Sequence, residues 1–324
     1  MSSSKAIGGY FGLHINTESS YYPELLALNS GRNALEYILL SRGYKKVYLP
    51  FFTCDVLLEP FNKHGIKYEF YNIGLNLEPI KLPVLKQNEA FLYTNYFGLK
   101  INYITKLKDK VENLILDYAQ AFFCRPLKNV DTFYSPRKFF GIPDGAYLSS
   151  DAVYNHPLDK DSSLNRISHL LIRLEEGAEA GYEAFKKNDS TLIGAPIREM
   201  SNLTKRLLGD INYINAKDQR NKNFNFLHQQ LREYNQFDWF DQIQIDGPMV
   251  YPFYSSDEKL RAFLINKKIF VATYWPNVLE WTNVGSIEYQ LTTNVIYLPI
   301  DHRYNESNMR QIISLIFDYY GISN

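Results

Sequence analysis

The chain has 324 residues, of which 45% are hydrophobic and 22% are charged, so a large domain together with a smaller one is expected. Its 35 Lys and Arg residues balance its 35 Asp and Glu residues. This balance excludes a general electrostatic drive toward nucleic acid or anionic membranes. A phosphate-bearing substrate would need only a local basic patch.

Cellular location and metal binding are constrained by the cysteines, the histidines and the apolar runs. Cys54 and Cys124 form no CxxC pair, so a reducing cytoplasm is expected. No apolar run has the length of a signal peptide core or of a membrane span. The six histidines show no metal-binding spacing, so we expect no metal site.

Short apolar runs alternate with helical patterns from about residue 29 to residue 120. A helix is predicted over Ala34–Leu40, with Gly43 as its end. Strands are predicted at Lys46–Pro50, Lys67–Tyr71, Ala90–Thr94 and Asn113–Asp117. This alternation is typical of an α/β fold with a mostly parallel sheet that helices cover on both faces.

A smaller α+β region is predicted after about residue 195. Its predicted elements, in chain order, are a long helix over Met200–Tyr234, a strand at Pro248–Phe253, a helix at Asp257–Ile265, strands at Ile269–Thr273 and Val295–Pro299, and a last helix from an Asn305 cap to Gly321. We therefore place the large domain at 1–198 and the small C-terminal domain at 199–324.

The first chemical motif is the glycine-containing turn Asn29–Leu35, which opens the first predicted helix. The free N–H groups at a helix start, together with the positive end of the helix dipole, favour a phosphate. The alternative is an ordinary helix cap, because such turns are common.

The second motif is Asp117, which ends an apolar strand and is followed by Ala119-Gln120-Ala121. Ligands of α/β sheets bind at the carboxyl ends of strands, where a carboxylate can keep a pyridine nitrogen protonated. The alternative is a structural Asp that caps the following turn.

The third motif surrounds Lys138, which lies between Arg137 and two phenylalanines. A lysine among apolar neighbours has its ammonium form disfavoured and becomes a nucleophilic amine. Ser135, three residues earlier, is a candidate hydrogen-bond donor to a phosphate. The alternative is a surface lysine whose stem covers aromatic packing.

Two aromatic segments, Thr94–Gly98 and Tyr274–Asn277, are interpreted as packing and turns.

In their order and spacing, these motifs resemble type I pyridoxal-phosphate enzymes, and more narrowly the DegT/StrS family of sugar aminotransferases. The phosphate turn resembles Ser30–Leu35, the acid-x-A-Q-A motif resembles Asp117–Ala121, and the lysine motif resembles Pro136–Lys138. Family segments at the start and end of the chain resemble Pro50–Cys54 and Leu298–Ile300.

The resemblance implies an enzyme with pyridoxal 5'-phosphate as its cofactor. Lys138 would carry the cofactor covalently and act as general base. Asp117 would keep the pyridine nitrogen protonated. Gln120 would contact the ring face or its 3-oxygen.

The resemblance also implies a phosphate site at Gly31, Arg32 and Asn33. Ser135 completes this site as the replacement for a family serine, since Phe133 occupies the family position.

Three positions depart from the family pattern. Cys54 stands where the family places an aromatic side chain that stacks on the cofactor, so either Phe52 or Phe97 replaces it or the stacking is lost. Ile197 and Glu199 stand where the family has Asn and Arg. These changes indicate a divergent branch.

The implied activity is amino transfer to a nucleotide-linked keto-sugar, with glutamate as donor, by a cytoplasmic homodimer that takes part in surface glycan biosynthesis. Two alternatives remain open. One is a pyridoxal-phosphate enzyme with another reaction, such as dehydration or transamination of a non-sugar. The other is a catalytically silent binding protein on the same scaffold.

Overall fold

The computed structural model describes residues 7–15, 20–239, 243–257 and 259–322. Within them, one sheet has seven strands in the order β1-β7-β6-β5-β4-β2-β3. Strands β2 to β6 run parallel, and β7 pairs antiparallel with both β6 and β1. The strands are β1 Leu26–Leu28, β2 Lys46–Pro50, β3 Lys67–Tyr71, β4 Glu89–Thr94, β5 Leu114–Tyr118, β6 Asp131–Tyr134 and β7 Ala146–Ser149.

Helices and a second, small sheet make up the remaining regular structure of the described residues. The helices are α1 Gly31–Arg42, α2 Glu59–His64, α3 Ile101–Lys108, α4 Ser168–Glu176, α5 Tyr182–Thr191, α6 Asn202–Gly209, α7 Tyr213–Leu231, α8 Lys259–Asn266, α9 Val278–Trp281, α10 Ile287–Asn294 and α11 Glu306–Tyr320. A second sheet consists of the antiparallel pair β8 Val250–Tyr254 and β9 Val295–Pro299.

The large sheet is buried on both faces, as its continuous apolar strands predict. Along β4, Ala90 and Leu92 belong to one core cluster, whereas Phe91 and Tyr93 belong to the other. Successive side chains of a strand point to opposite faces, so both faces are packed against other elements. The predicted mostly parallel α/β fold is confirmed.

Two predicted elements differ from the structure. The long helix over Met200–Tyr234 is interrupted, because α6 ends at Gly209 and the Asn212 side chain caps the start of α7 by accepting from the Asn215 N–H. The prediction of a strand at Ile269–Thr273 was wrong. In the described part of the chain, β8 and β9 pair only with each other, so this apolar segment has no strand neighbour. The division at residue 198 stays a prediction.

In the described ranges, no helix is long and apolar enough to cross a membrane. In the same ranges, no group of three or more His, Cys, Asp or Glu residues is placed to hold a metal ion.

Candidate functional site

A cavity of about 340 Å³ lies at the carboxyl edge of the large sheet. The parallel strands deliver Asp117 from β5 and Ser135 from the end of β6 to this edge. All the predicted site residues except Asn33 line the cavity, namely Gly31, Arg32, Asp117, Gln120, Ser135 and Lys138. The structure therefore brings together residues that are more than a hundred positions apart in the chain.

The first turn of α1 forms one wall of the cavity. Ser30 caps this helix, since its side chain accepts from the Asn33 N–H at 3.2 Å. A Cβ atom added at Gly31 would lie 3.6 Å from Ser135 Cβ, so the helix start and Ser135 face each other closely. The Arg32 side chain is paired with Glu59 at 2.5 Å. The backbone N–H groups of this turn are therefore the groups that can bind an anion.

Asn33 is turned away from the cavity. Its side chain is 1% exposed and donates to Glu36 Oε2 and to the Ala195 carbonyl, both at 2.9 Å. It joins α1 to the segment after α5. The sequence could not show this, because Ala195 approaches Asn33 only through long-range packing.

Asp117 is buried in the cavity wall, with 6% of its surface exposed. Burial raises the pKa of its carboxyl group, whereas the charge of Lys138 and the Ala119 N–H lower it. Asp117 Oδ1 accepts from the Ala119 N–H at 2.8 Å. The side chain thus caps the following turn and also lines the cavity, where it remains a candidate partner for a ring nitrogen.

Gln120 presents an unused hydrogen-bond donor. Its Oε1 accepts from the Phe97 N–H at 3.2 Å, but its buried Nε2 has no partner. Buried amide donors are rarely left unpaired in native proteins. Because Gln120 lines the cavity, a ligand with an acceptor oxygen, such as a pyridoxal ring, suits this position.

Lys138 ends a short 3-10 turn, Pro136–Lys138, and its side chain is exposed. The expectation of an apolar setting was wrong, since Phe139 and Phe140 are turned into the core and leave the lysine outside it. Its charge is close enough to lower the pKa of Asp117 and of Cys54, although burial is the larger cause and raises both.

Sequence reasoning missed one further segment that lines the cavity. Thr273, Tyr274 and Trp275 line it, although their segment reads as a turn between packed elements. Asn277 Nδ2 donates to the Thr53 carbonyl at 2.9 Å and so holds this segment against the large sheet. No pattern in the sequence points to this contact.

The two aromatic replacements that we considered for Cys54 lie outside the cavity. Phe52 and Phe97 are buried in the core, and Phe52 packs edge-on against Trp275 with ring centres 4.9 Å apart. Cys54 itself lines the cavity. The aromatic residues that line the cavity are Phe133, Tyr274 and Trp275.

The turn behind Lys138 is held by Asp144, which is fully buried. Its carboxylate accepts from Ser163 Oγ at 2.7 Å, from Ser201 Oγ at 3.2 Å and from an Arg166 guanidinium N–H at 3.0 Å. It also accepts from the Thr204 hydroxyl. This network joins the lysine segment to α6 and to the region before α4.

We expect Asp144→Asn to lower the free energy of unfolding by about 2 kcal/mol, because a buried guanidinium loses one of its carboxylate partners. Urea denaturation followed by circular dichroism measures this loss. Asp151→Asn, at an exposed carboxylate, is the control and should change stability by less than about 1 kcal/mol. Equal effects of the two changes would contradict the structural role of Asp144.

The sequence matches no family model and no curated protein. The structure, however, resembles solved aminotransferases. One from Brucella abortus, described as a DegT DnrJ EryC1 StrS aminotransferase, is 16% identical, with 92% of this chain and 86% of that one aligned at a TM-score of 0.63.

Two further structures resemble this chain at a TM-score of 0.63 each. NtdA from Bacillus subtilis, solved with bound cofactor PMP, is 14% identical, with 91% of this chain and 72% of that one aligned. DesI, solved in the presence of its TDP-sugar product, is 13% identical, with 90% of this chain and 79% of that one aligned. The chain therefore has the fold of these aminotransferases.

Proposed function

We propose that this protein is a pyridoxal-phosphate-dependent aminotransferase. The observation that carries the proposal is the cavity itself, where an accessible primary amine, a buried carboxylate and the unpaired Nε2 of Gln120 meet beside a helix start. These are the groups that such a cofactor needs for its covalent link, its ring nitrogen, a ring oxygen and its phosphate. The shared fold with solved aminotransferases supports the same proposal.

When bound, pyridoxal phosphate supplies an electron sink for bond changes at an amino-bearing carbon. The first-turn N–H groups of Gly31 and Arg32, with Ser135, would hold its phosphate. Asp117 would keep the ring nitrogen protonated, and Gln120 Nε2 would donate to a ring oxygen. The Lys138 amine would carry the cofactor and then move a proton as general base.

For the substrates, we propose a nucleotide-linked keto-sugar as acceptor and glutamate as donor, in surface glycan biosynthesis. Support for the acceptor comes from DesI, which was solved with its TDP-sugar product. We also propose a cytoplasmic location, because Cys54 and Cys124 are both free thiols and structural disulfides are rare in that compartment.

An absorption spectrum of the purified protein with added pyridoxal phosphate tests the cofactor. A new band near the visible region, stable to gel filtration, is expected. Its absence would favour a silent binding protein on this scaffold. Transfer of the amino group from glutamate to a nucleotide-linked keto-sugar, followed by mass spectrometry, then separates amino transfer from dehydration or from transamination of a non-sugar.

We expect the protein to be a homodimer. Type I enzymes build each site partly from the neighbouring subunit, and the cavity shares Arg32 and Asp189 with a neighbouring pocket of the single chain, where a second subunit could complete it. Light scattering coupled to size-exclusion chromatography at micromolar concentration should give twice the chain mass of 37.9 kDa. A monomer at that concentration would count against the proposed dimer.

A further inference from the structure

A second cavity, of about 530 Å³, adjoins the first. Arg137, Lys138 and Tyr274 line both of them, so the accessible amine lies at their junction. A molecule in the second cavity can therefore present a reacting group to the first one. Its volume lies within the range of about 300–1,000 Å³ that ligand pockets occupy.

The second cavity is strongly cationic. Its lining includes Arg137, Lys138, Arg173, Arg220 and Arg303, against a single carboxylate from Asp301. Two of these cations are neutralised, because Arg137 pairs with Asp189 at 2.7 Å and Arg303 with Asp301 at 2.6 Å.

Three cations of this lining form no direct ion pair within the described part of the chain. Among the ion pairs of the described ranges, none includes Lys138, Arg173 or Arg220. Lys138 is the proposed carrier of the cofactor. Of the remaining two arginines, Arg220 lies within electrostatic range of Asp301, but this carboxylate already pairs with Arg303, so the cavity keeps a net positive charge.

Arg220 is the buried part of this charge. It is 1% exposed and donates to the carbonyls of Pro248 at 3.2 Å, Met249 at 3.1 Å and Phe139 at 3.4 Å, whereas its buried Nε has no partner. Burial lowers the pKa of Arg220 to about 10, so the guanidinium is charged at neutral pH. Asp301 stabilises this charge in part, since it raises the pKa of Arg220, but it also pairs with Arg303. A buried cation with incomplete compensation is costly, and an anionic ligand in the cavity would offset that cost.

His302 adds a second unsatisfied polar atom to the same lining. Its Nδ1 is buried and has no hydrogen-bond partner. Burial, and then the charge of Arg220, lower the pKa of this imidazole. The ring is therefore neutral at pH 7 and can donate one N–H to an oxyanion.

Aromatic side chains surround the opening. Tyr182, Phe185 and Phe270 line the cavity and are 57%, 41% and 55% exposed. Large exposed aromatic groups that cluster at a cavity indicate a binding surface, and their faces suit the flat ring of a base. Cations and exposed rings thus occur in the same cavity.

We infer that the second cavity binds the oxyanion-bearing part of the acceptor substrate, with Arg173 as its accessible cation and Phe270 against an adjoining flat ring. The anion site rests on the charges and unpaired atoms of the cavity, and its assignment to the acceptor rests on the proposed function. A phosphate of the acceptor and a carboxylate of the donor share the chemistry that arginine recognises.

Calorimetric titration of the protein with inorganic pyrophosphate and, separately, with L-glutamate tests the anion site. Arg173→Gln should raise the Kd for pyrophosphate about tenfold, as the loss of one arginine–phosphate contact implies. The control is Arg206→Gln, because Arg206 is also exposed on a helix but lines neither cavity. It should leave the Kd unchanged.

If Arg173→Gln and Arg206→Gln had the same Kd for pyrophosphate, and also the same Kd for glutamate, the anion site would be overturned. If Arg173→Gln raised only the Kd for glutamate, the assignment of the anion site to the acceptor would be overturned. Borohydride labelling of Lys138 in the presence of pyridoxal phosphate is measured in the same samples. Its failure would refute the proposed function, whereas the titration of pyrophosphate still decides the cavity's affinity for anions.

The aromatic part of the inference has its own test. Phe270→Ala should raise the Kd for uridine diphosphate about fivefold, the order that one base stacked on a ring contributes. It should leave the Kd for pyrophosphate unchanged. Equal effects on the two probes, or no effect on either, would overturn the ring contact. Because Phe270 is exposed, Phe270→Ala should fold like the wild type. Circular dichroism spectra of the two proteins check this expectation.

Discussion

Lys138→Ala is expected to abolish amino transfer and covalent attachment of the cofactor. Only a primary amine forms that link, and Lys138 is the lysine that lines the cavity with Asp117 and Gln120. Borohydride reduction of the wild type with pyridoxal phosphate should add the cofactor mass to the peptide that contains Ser135–Phe140. In the variant, this mass should be absent, and the rate should fall by at least about a thousandfold.

Lys128→Ala provides the matched control for this experiment. Lys128 is exposed, lies ten positions earlier and lines neither cavity, so its variant should keep both the label and the activity. The fold of Lys138→Ala should persist, because an exposed side chain contributes little to core packing. A label on another lysine, or a wild type that takes no label at saturating cofactor, would refute the assignment.

Asp117→Asn should leave the cofactor bound but lower the rate of amino transfer about a hundredfold or more. The substitution removes the negative charge that would stabilise a protonated ring nitrogen, and preorganised charge of this kind is among the largest contributions to catalysis. The amide oxygen can still accept from the Ala119 N–H, so the turn after β5 should be retained. Spectral titration with pyridoxal phosphate and steady-state kinetics measure the two effects separately.

Asp131→Asn is the comparison for this second experiment. Asp131 is also a buried strand carboxylate, but it pairs with Arg42 and lies outside the cavity. Its variant is expected to lose stability while the folded fraction keeps its activity. If Asp117→Asn turned over at the wild-type rate, Asp117 would not be the partner of the ring nitrogen.

The sequence alone determined the elements whose signals are local. Strands β2 and β3 occur at the predicted positions, because a short run rich in apolar and aromatic residues is sufficient to specify a strand. Helix α11 begins after the Asn305 cap and ends at Gly321 in the left-handed conformation, since capping depends only on neighbouring residues.

The sequence also indicated most of the candidate site. Asp117 and Ser135 follow parallel strands, and such strands place their carboxyl ends at one edge of a sheet. Their presence in one cavity with Gly31 is therefore consistent with the mostly parallel sheet that the α/β pattern predicts.

Only the tertiary structure decided which other side chains reach the cavities. It turned Asn33 toward Ala195, left Lys138 exposed, and brought Tyr274 to the junction of the two cavities. It also buried Arg220 without a direct ion pair in the described part of the chain. These outcomes depend on contacts between segments far apart in the chain, and the local periodicity of a sequence does not encode which distant surfaces pack together.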